Sequence, residues 1–251
     1  MKKILIILAS LACCSLLAQK PPSMPKFEED VSFYISFDDE TANADITLGC
    51  EKPISVFGNK KGKYGDGIRG RALLCGQHGS KIRFYRKDNL NFDNPGTLIF
   101  FYRGAFKSLK SGPRVFFWGI ESNQGYVGQQ LANDPKKICP CKRDLHSMFL
   151  YGKRIKNKTL VTKLSGGEAS CEKWHMLSFS WAPGQISVKY DNEPEKSYPV
   201  PFDLTEADFP AVSFSIGSNV HWEYYLDEFT VYRRRLSDAE LSEIYKYYFG
   251  K

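Results

Sequence analysis

The side chains best suited to chemistry in this sequence are its aromatic rings and its acids. His221, Trp222 and Tyr224 stand just ahead of a strand-like run near the C-terminus, and Trp118 and Tyr126 flank a segment in which Glu121, Asn123 and Gln124 offer polar atoms. Rings that lie against sugar faces, with polar tips that fix hydroxyls, make a carbohydrate-binding surface. The competing reading is that these rings pack in a core or at its rim. Glycoside hydrolysis needs two carboxylates held across the scissile bond. Here Glu28-Glu29-Asp30 precedes the first strand-like run, and Glu193 and Glu195 fall in a turn. Gly-x-Ser-x-Gly, His-Glu-x-x-His and phosphate-binding loops are absent, and the histidines at 78, 146, 175 and 221 are scattered. We therefore expect binding without catalysis, and no catalytic residues are assigned.

The elements that must position these residues read as short strands, rich in Phe, Tyr, Ile and Val and separated by Gly, Asn, Asp and Pro clusters, which is an all-β signature. Strict alternation marks sheets with one face on a core. It places Val31, Phe33, Ile35 and Phe37 on one face, then Ile186, Val188 and Tyr190 opposite Ser187 and Lys189, then Val212, Phe214 and Ile216 opposite Ser213 and Ser215. Residues 97–102 and 114–120 are apolar almost throughout and read as inner strands covered on both sides. One helix is expected, at the end: Ser237-Asp238-Ala239-Glu240 is a capping box, and Leu241, Ile244, Tyr245 and Tyr248 follow as one apolar stripe. Strand parity also puts Asp227 with Phe229 and Val231, and Asp39 with Phe33, Ile35 and Phe37. A carboxylate facing a core needs a partner. One reading is a calcium ion held by Asp227 with Asp38 or Asp39 and backbone carbonyls, since hard cations take oxygen ligands; calcium is the one cofactor this pattern suggests. The other reading is that these acids pair with Arg side chains or accept backbone N–H groups where the terminal strands meet.

Met1-Lys2-Lys3, the apolar run 4–17 and Ala18 form a secretory signal pattern, so export is expected, with residues 1–18 as signal, 19–29 as a short linker and 30–251 as one domain. The run is too short for the roughly 20 residues of a transmembrane helix. Ser10 stands where a lipidation motif before Cys13 usually has Leu, so no lipid anchor is expected. The charge of +7 falls to about +5 without Lys2 and Lys3, and the remaining bases are too dispersed for a nucleic-acid surface. Their densest stretch, Lys107, Lys110, Arg114, Lys136, Lys137, Lys142 and Arg143, reads as a solvated loop or as a contact for an acidic glycan or membrane surface. Export makes disulfides the expectation for Cys50, Cys75, Cys139, Cys141 and Cys171. Cys50 with Cys75 is one plausible bridge, and Cys171 with Cys139 or Cys141 the other, leaving one thiol unpaired. Cys139, Cys141, His146 and Cys171 could supply zinc ligands, but their spacing matches no zinc motif.

Several segments, in order, resemble the laminin-G-like branch of the concanavalin-A-like jelly rolls, and the resemblance covers most of the chain after the signal. Tyr34-Ile35-Ser36-Phe37-Asp38-Asp39 looks like the opening strand, followed by Gly65-Asp66-Gly67-Ile68-Arg69-Gly70-Arg71-Ala72-Leu73. Residues 96–102 look like an inner strand, with Phe or Tyr where Trp is usual. Trp174-His175-Met176-Leu177-Ser178-Phe179-Ser180-Trp181 resembles the Trp-His strand, and residues 186–192 a strand ending in a turn where Asn192 replaces Gly. Leu226-Asp227-Glu228-Phe229-Thr230-Val231-Tyr232 and Arg235-Leu236-Ser237-Asp238-Ala239-Glu240-Leu241 resemble the closing strand and helix. The resemblance implies a two-sheet antiparallel jelly-roll β-sandwich with a short C-terminal helix, binding at a rim or sheet face; related domains often carry calcium. Glucanases of this architecture carry an E-x-D-x-x-E strand, and nothing here reproduces it. A glycan or an extracellular protein is the expected partner, and the alternative role is a structural or adhesive surface component that assembles through the domain.

Overall fold

In the computed structural model the described residues are 24–58, 62–105, 114–122, 125–132, 146–150, 159–163, 173–199, 205, 210–220 and 222–250. Their strands are β1 (Val31–Ile35), β2 (Ile46–Thr47), β3 (Ser55–Gly58), β4 (Tyr64–Asp66), β5 (Arg71–Cys75), β6 (Ser80–Tyr85), β7 (Gly96–Gly104), β8 (Arg114–Ser122), β9 (Gly125–Ala132), β10 (His146–Leu150), β11 (Thr159–Lys163), β12 (His175–Ala182), β13 (Gln185–Tyr190), β14 (Lys196–Pro199), β15 (Ser213–Gly217) and β16 (Tyr224–Tyr232), and helix α1 (Asp238–Phe249) follows. The first sheet runs β14-β13-β12-β7-β16-β1-β2, with β5 paired to β16 and β4 to β5; the second runs β11-β10-β9-β8-β15-β6-β3. The strands pair antiparallel, giving the all-β sandwich expected from alternation.

Between the sheets lies an aromatic core. Phe33 meets Phe84 edge-on at 4.8 Å and Phe214 at 5.2 Å, and Phe229 stacks on Phe100 at 6.1 Å. Such ring pairs contribute about 0.5–1.5 kcal/mol each beyond burial. A second cluster forms on the far face of the first sheet, where α1 docks: Tyr34, Ile99, Phe101 and Met176 pack against Leu241 and Ile244. The capping box is present, with the Ser237 hydroxyl accepting from Glu240 N and the Glu240 carboxylate accepting from Ser237 N. Lys189 extends from β13, its side chain almost wholly buried, and donates to Asp238 Oδ1 at 2.6 Å and Ser242 Oγ at 3.0 Å, tying the sheet to the start of α1. Residues 24–29, the end of the expected linker, are bonded to the domain: Tyr232 Oη donates to Lys26 O, and Lys26 pairs with Glu243.

The differences from the sequence reading have local causes. A register shift between Val31 and Phe33 moves Val31 to the helix-side cluster, away from Phe33 and Ile35. The strand ends at Ile35, so Asp39 is exposed rather than in line with Phe37, which takes φ 65°. A second shift lies between Asp227 and Thr230, with Glu228 at φ 52°. An inserted residue exchanges the faces of the strand beyond it, so Asp227 pairs with Phe101 on the helix side, opposite Phe229 and Val231 in the inter-sheet core. Val212 precedes β15 and is 75% exposed, so it does not join Phe214 and Ile216. The turn after β13 takes its positive φ at Asp191, one residue before Asn192. Strand β7 is covered on both faces as expected, and β8 is buried from Val115 to Ile120 apart from half-buried Phe116, with Gly119 lying under the Tyr126 ring.

Candidate functional site

A candidate site lies on the same sheet. On the outer face of the second sheet, pairing aligns one row across five strands: Ser55 with Arg83, Arg83 with Ser215, Ser215 with Gly119, and Gly119 with Gly128. Directly paired residues point to the same face, so the row has two serines, an arginine and two glycines, the glycines buried beneath the Tyr126 ring. A groove of about 550 Å³ opens over the Arg83 and Ser215 part of the row, lined by Phe57, Lys81, Arg83, Glu121, Ser213, Ser215 and Asn219. Arg83 donates to Ser213 Oγ at 2.7 Å. Phe57, 39% exposed, stands at one end of this face, and Tyr85, 45% exposed, at the other.

Tyr126 covers the glycine end of the row. A Cβ added to Gly119 would fall 2.0 Å from its hydroxyl oxygen, so the ring lies directly over that glycine, and Oη donates to Trp118 O at 3.1 Å. Burial, reinforced by nearby Glu121, holds the phenol well above its ordinary pKa, so it stays protonated as a donor. None of the described aromatic candidates lines this groove, though Tyr126 pairs with its residue Glu121. Trp118 is a core residue, 1% exposed, its indole N–H donating to Gln129 Oε1 at 2.8 Å. Tyr224 is equally buried and donates to Phe116 O. Neither ring is available to stack on a ligand. Trp222 packs half-buried against the inter-sheet core, and His221 lies outside the described residues.

The acids hold a turn. Asp227 Oδ2 accepts from Ile68 N at 2.8 Å and Oδ1 from Glu228 N at 2.9 Å, while Asp38 Oδ1 accepts from Arg71 N at 2.8 Å. The 67–71 turn wraps both carboxylates so closely that a Cβ at Gly70 would sit 1.8 Å from Asp38 Oδ1, and Gly70 takes φ 53°. Asp39 accepts from Thr41 within its own exposed loop. These are backbone and local bonds, and among the described residues no three His, Cys, Asp or Glu side chains are grouped to hold a metal. Burial, then the adjacent Glu228, push the Asp227 carboxyl well above its ordinary pKa. Glu228 in turn accepts from Tyr34 Oη at 2.7 Å and Tyr248 Oη at 2.6 Å, joining β16 to α1.

The expected Cys50–Cys75 bridge does not form. Both thiols are free, Cys50 exposed in a loop and Cys75 buried in the core, where burial pushes its pKa to about 12. Cys139, Cys141 and Cys171 lie outside the described residues, as do the signal at 1–18 and most of the 107–143 basic stretch. No helix among the described residues is long and apolar enough to cross a membrane.

No protein-family model matches the chain, and no curated protein matches it. Its likeness is to solved β-sandwich structures. The receptor-binding domain of botulinum neurotoxin D superposes with a TM-score of 0.64 at 11% identity, over 87% of this chain and 52% of that one. The binding domain of Paraclostridial Mosquitocidal Protein 1 gives 0.63 at 13%, over 88% and 53%. Domain 4 of AbnA, a GH43 extracellular arabinanase from Geobacillus stearothermophilus, solved in complex with arabinotriose, gives 0.57 at 16%, over 86% of this chain and 98% of that one. The chain spans about half the length of the two toxin domains. At these identities the shared property is the fold.

The groove was only partly foreseen. The parity of residues 211–216 faced Ser213 and Ser215 outward. Lys81, Arg83 and Tyr85 were missed, although the alternation Lys81-Ile82-Arg83-Phe84-Tyr85 carries the same signal.

Proposed function

We propose that this chain is an exported, non-catalytic carbohydrate-binding module of the laminin-G-like type, holding a saccharide in the groove across the outer face of the second sheet. The observation that carries this reading is the groove itself, where Lys81, Arg83, Ser213, Ser215 and Asn219 make a shallow polar surface between the exposed rings of Phe57 and Tyr85. Hydroxyl, amide and guanidinium groups supply directional bonds to sugar hydroxyls, and ring faces supply apolar area. The arabinanase domain, seen with arabinotriose, lends support because this chain covers nearly all of it. Hydrolysis is not supported, because Glu121 is the one carboxylate among the described groove residues and the two-carboxylate geometry needs a second.

The test is a glycan array, with calcium and with chelator, using the wild type and Ser215→Trp, which fills the floor from an outward position. Binding by the wild type that Ser215→Trp abolishes at an unchanged melting temperature is expected. Silence from folded wild type, or binding indifferent to Ser215→Trp, would remove the groove from the proposal. A second reading, surface assembly through the domain, is favoured by the exposed free thiol of Cys50. It requires a dimer that reductant dissolves and that Cys50→Ser prevents.

A further inference from the structure

The groove is lined by two cations and one carboxylate, Lys81, Arg83 and Glu121. Lys81 and Arg83 are alternate residues of β6, so their side chains leave the same face about 7 Å apart. Both line the groove, both are half-buried, and among the described residues neither pairs with a carboxylate. Elsewhere Arg71 meets Glu40, Arg234 meets Asp30 and Glu240, and Arg235 meets Glu195, whereas Arg69, Arg86 and Arg103 donate to backbone carbonyls. Glu121 shares the groove but contacts neither cation within ion-pair distance, which leaves the lining with two positive groups against one negative. Arg83 commits one N–H to Ser213 Oγ, and a guanidinium has five to give in a fork that matches planar oxyanions.

We infer that the saccharide is anionic, with carboxylate or sulfate groups meeting Lys81 and Arg83 while Ser213, Ser215 and Asn219 hold its hydroxyls. This rests on the carbohydrate reading above. A saccharide suits the lining better than an acidic peptide, because the groove offers hydroxyl and amide groups beside the cations.

The experiment uses the full chain and matched polymers: polygalacturonate against its methyl-esterified form, dextran sulfate against dextran, and poly-L-glutamate as an acidic peptide. Affinity is measured by titration calorimetry at low and at raised sodium chloride. The carboxylate and sulfate arms separate the two anion sources. Binding to at least one charged polysaccharide, little to its neutral partner, and weakening with salt are expected. Arg83→Gln and Lys81→Gln should each lower affinity about tenfold or more, while Lys246→Gln on α1 leaves it unchanged, all three with the wild-type melting temperature. Equal affinity for the charged and neutral members, or indifference to both groove substitutions, would overturn the anionic assignment and leave the carbohydrate reading standing. Equal binding of poly-L-glutamate would overturn the saccharide. Failure of every polymer, together with a silent glycan array, would sink both readings.

Discussion

Placing a methyl group at Gly119 should reverse its effect on stability according to what stands at position 126. In the wild type the added Cβ would lie 2.0 Å from the Tyr126 hydroxyl oxygen, 2.3 Å from Cζ and 2.5 Å from Cε2, all on one ring. The ring must lift, losing the Oη bond to Trp118 O, which contributes about 0.5–1.5 kcal/mol. Overpacking of this kind typically costs about 1–3 kcal/mol in total. With Tyr126→Ala already in place those contacts are gone, and alanine should then stabilise the strand by about 0.5–1 kcal/mol relative to glycine. Urea unfolding of the wild type, Gly119→Ala, Tyr126→Ala and the double variant measures the coupling, expected to be about 2 kcal/mol or more. The same cost for Gly119→Ala in both backgrounds would refute the placement of the Tyr126 ring against this glycine.

Two buried or paired carboxyls give pH dependences of opposite sign. Asp227 has its native pKa raised from 3.8, so the folded chain keeps a proton that the unfolded chain has lost; stability from this group falls as pH rises above about 3.8 and levels off once the native carboxyl itself ionises. In urea titrations across that range, Asp227→Asn should remove this decline, and an unchanged slope would contradict the raised pKa. Glu240 has its pKa lowered from 4.5 to about 2, chiefly by hydrogen bonds from Arg234. Its contribution is present above pH 4.5 and lost as pH falls toward 2, so the stability gap between wild type and Glu240→Gln should close over that window.

What the sequence reveals and conceals here follows from the difference between faces and rows. Period-two alternation assigns a side chain to a face from its own strand alone, and it does so correctly for Phe33, Ile35, Ile186, Val188, Phe214 and Ile216. It fails at Val31 and Asp227, where bulges insert a residue and exchange faces, and no composition signal marks either bulge. Trp118 reads as a loop-flanking ring because its buried partner, Gln129, sits eleven positions away on another strand. The capping box at Ser237 is legible because its bonds close within four residues. The groove has the opposite character. Its lining comes from β3, β6, β8 and β15, with Asn219 just beyond β15, and it exists only once the registers are set. Gly119 and Gly128 look like ordinary strand-weakening glycines until they are seen facing each other beneath one tyrosine. A surface on a sheet is therefore read best by asking which rows carry small or charged residues after pairing, and in this chain that question leads to Lys81 and Arg83 rather than to the tryptophans.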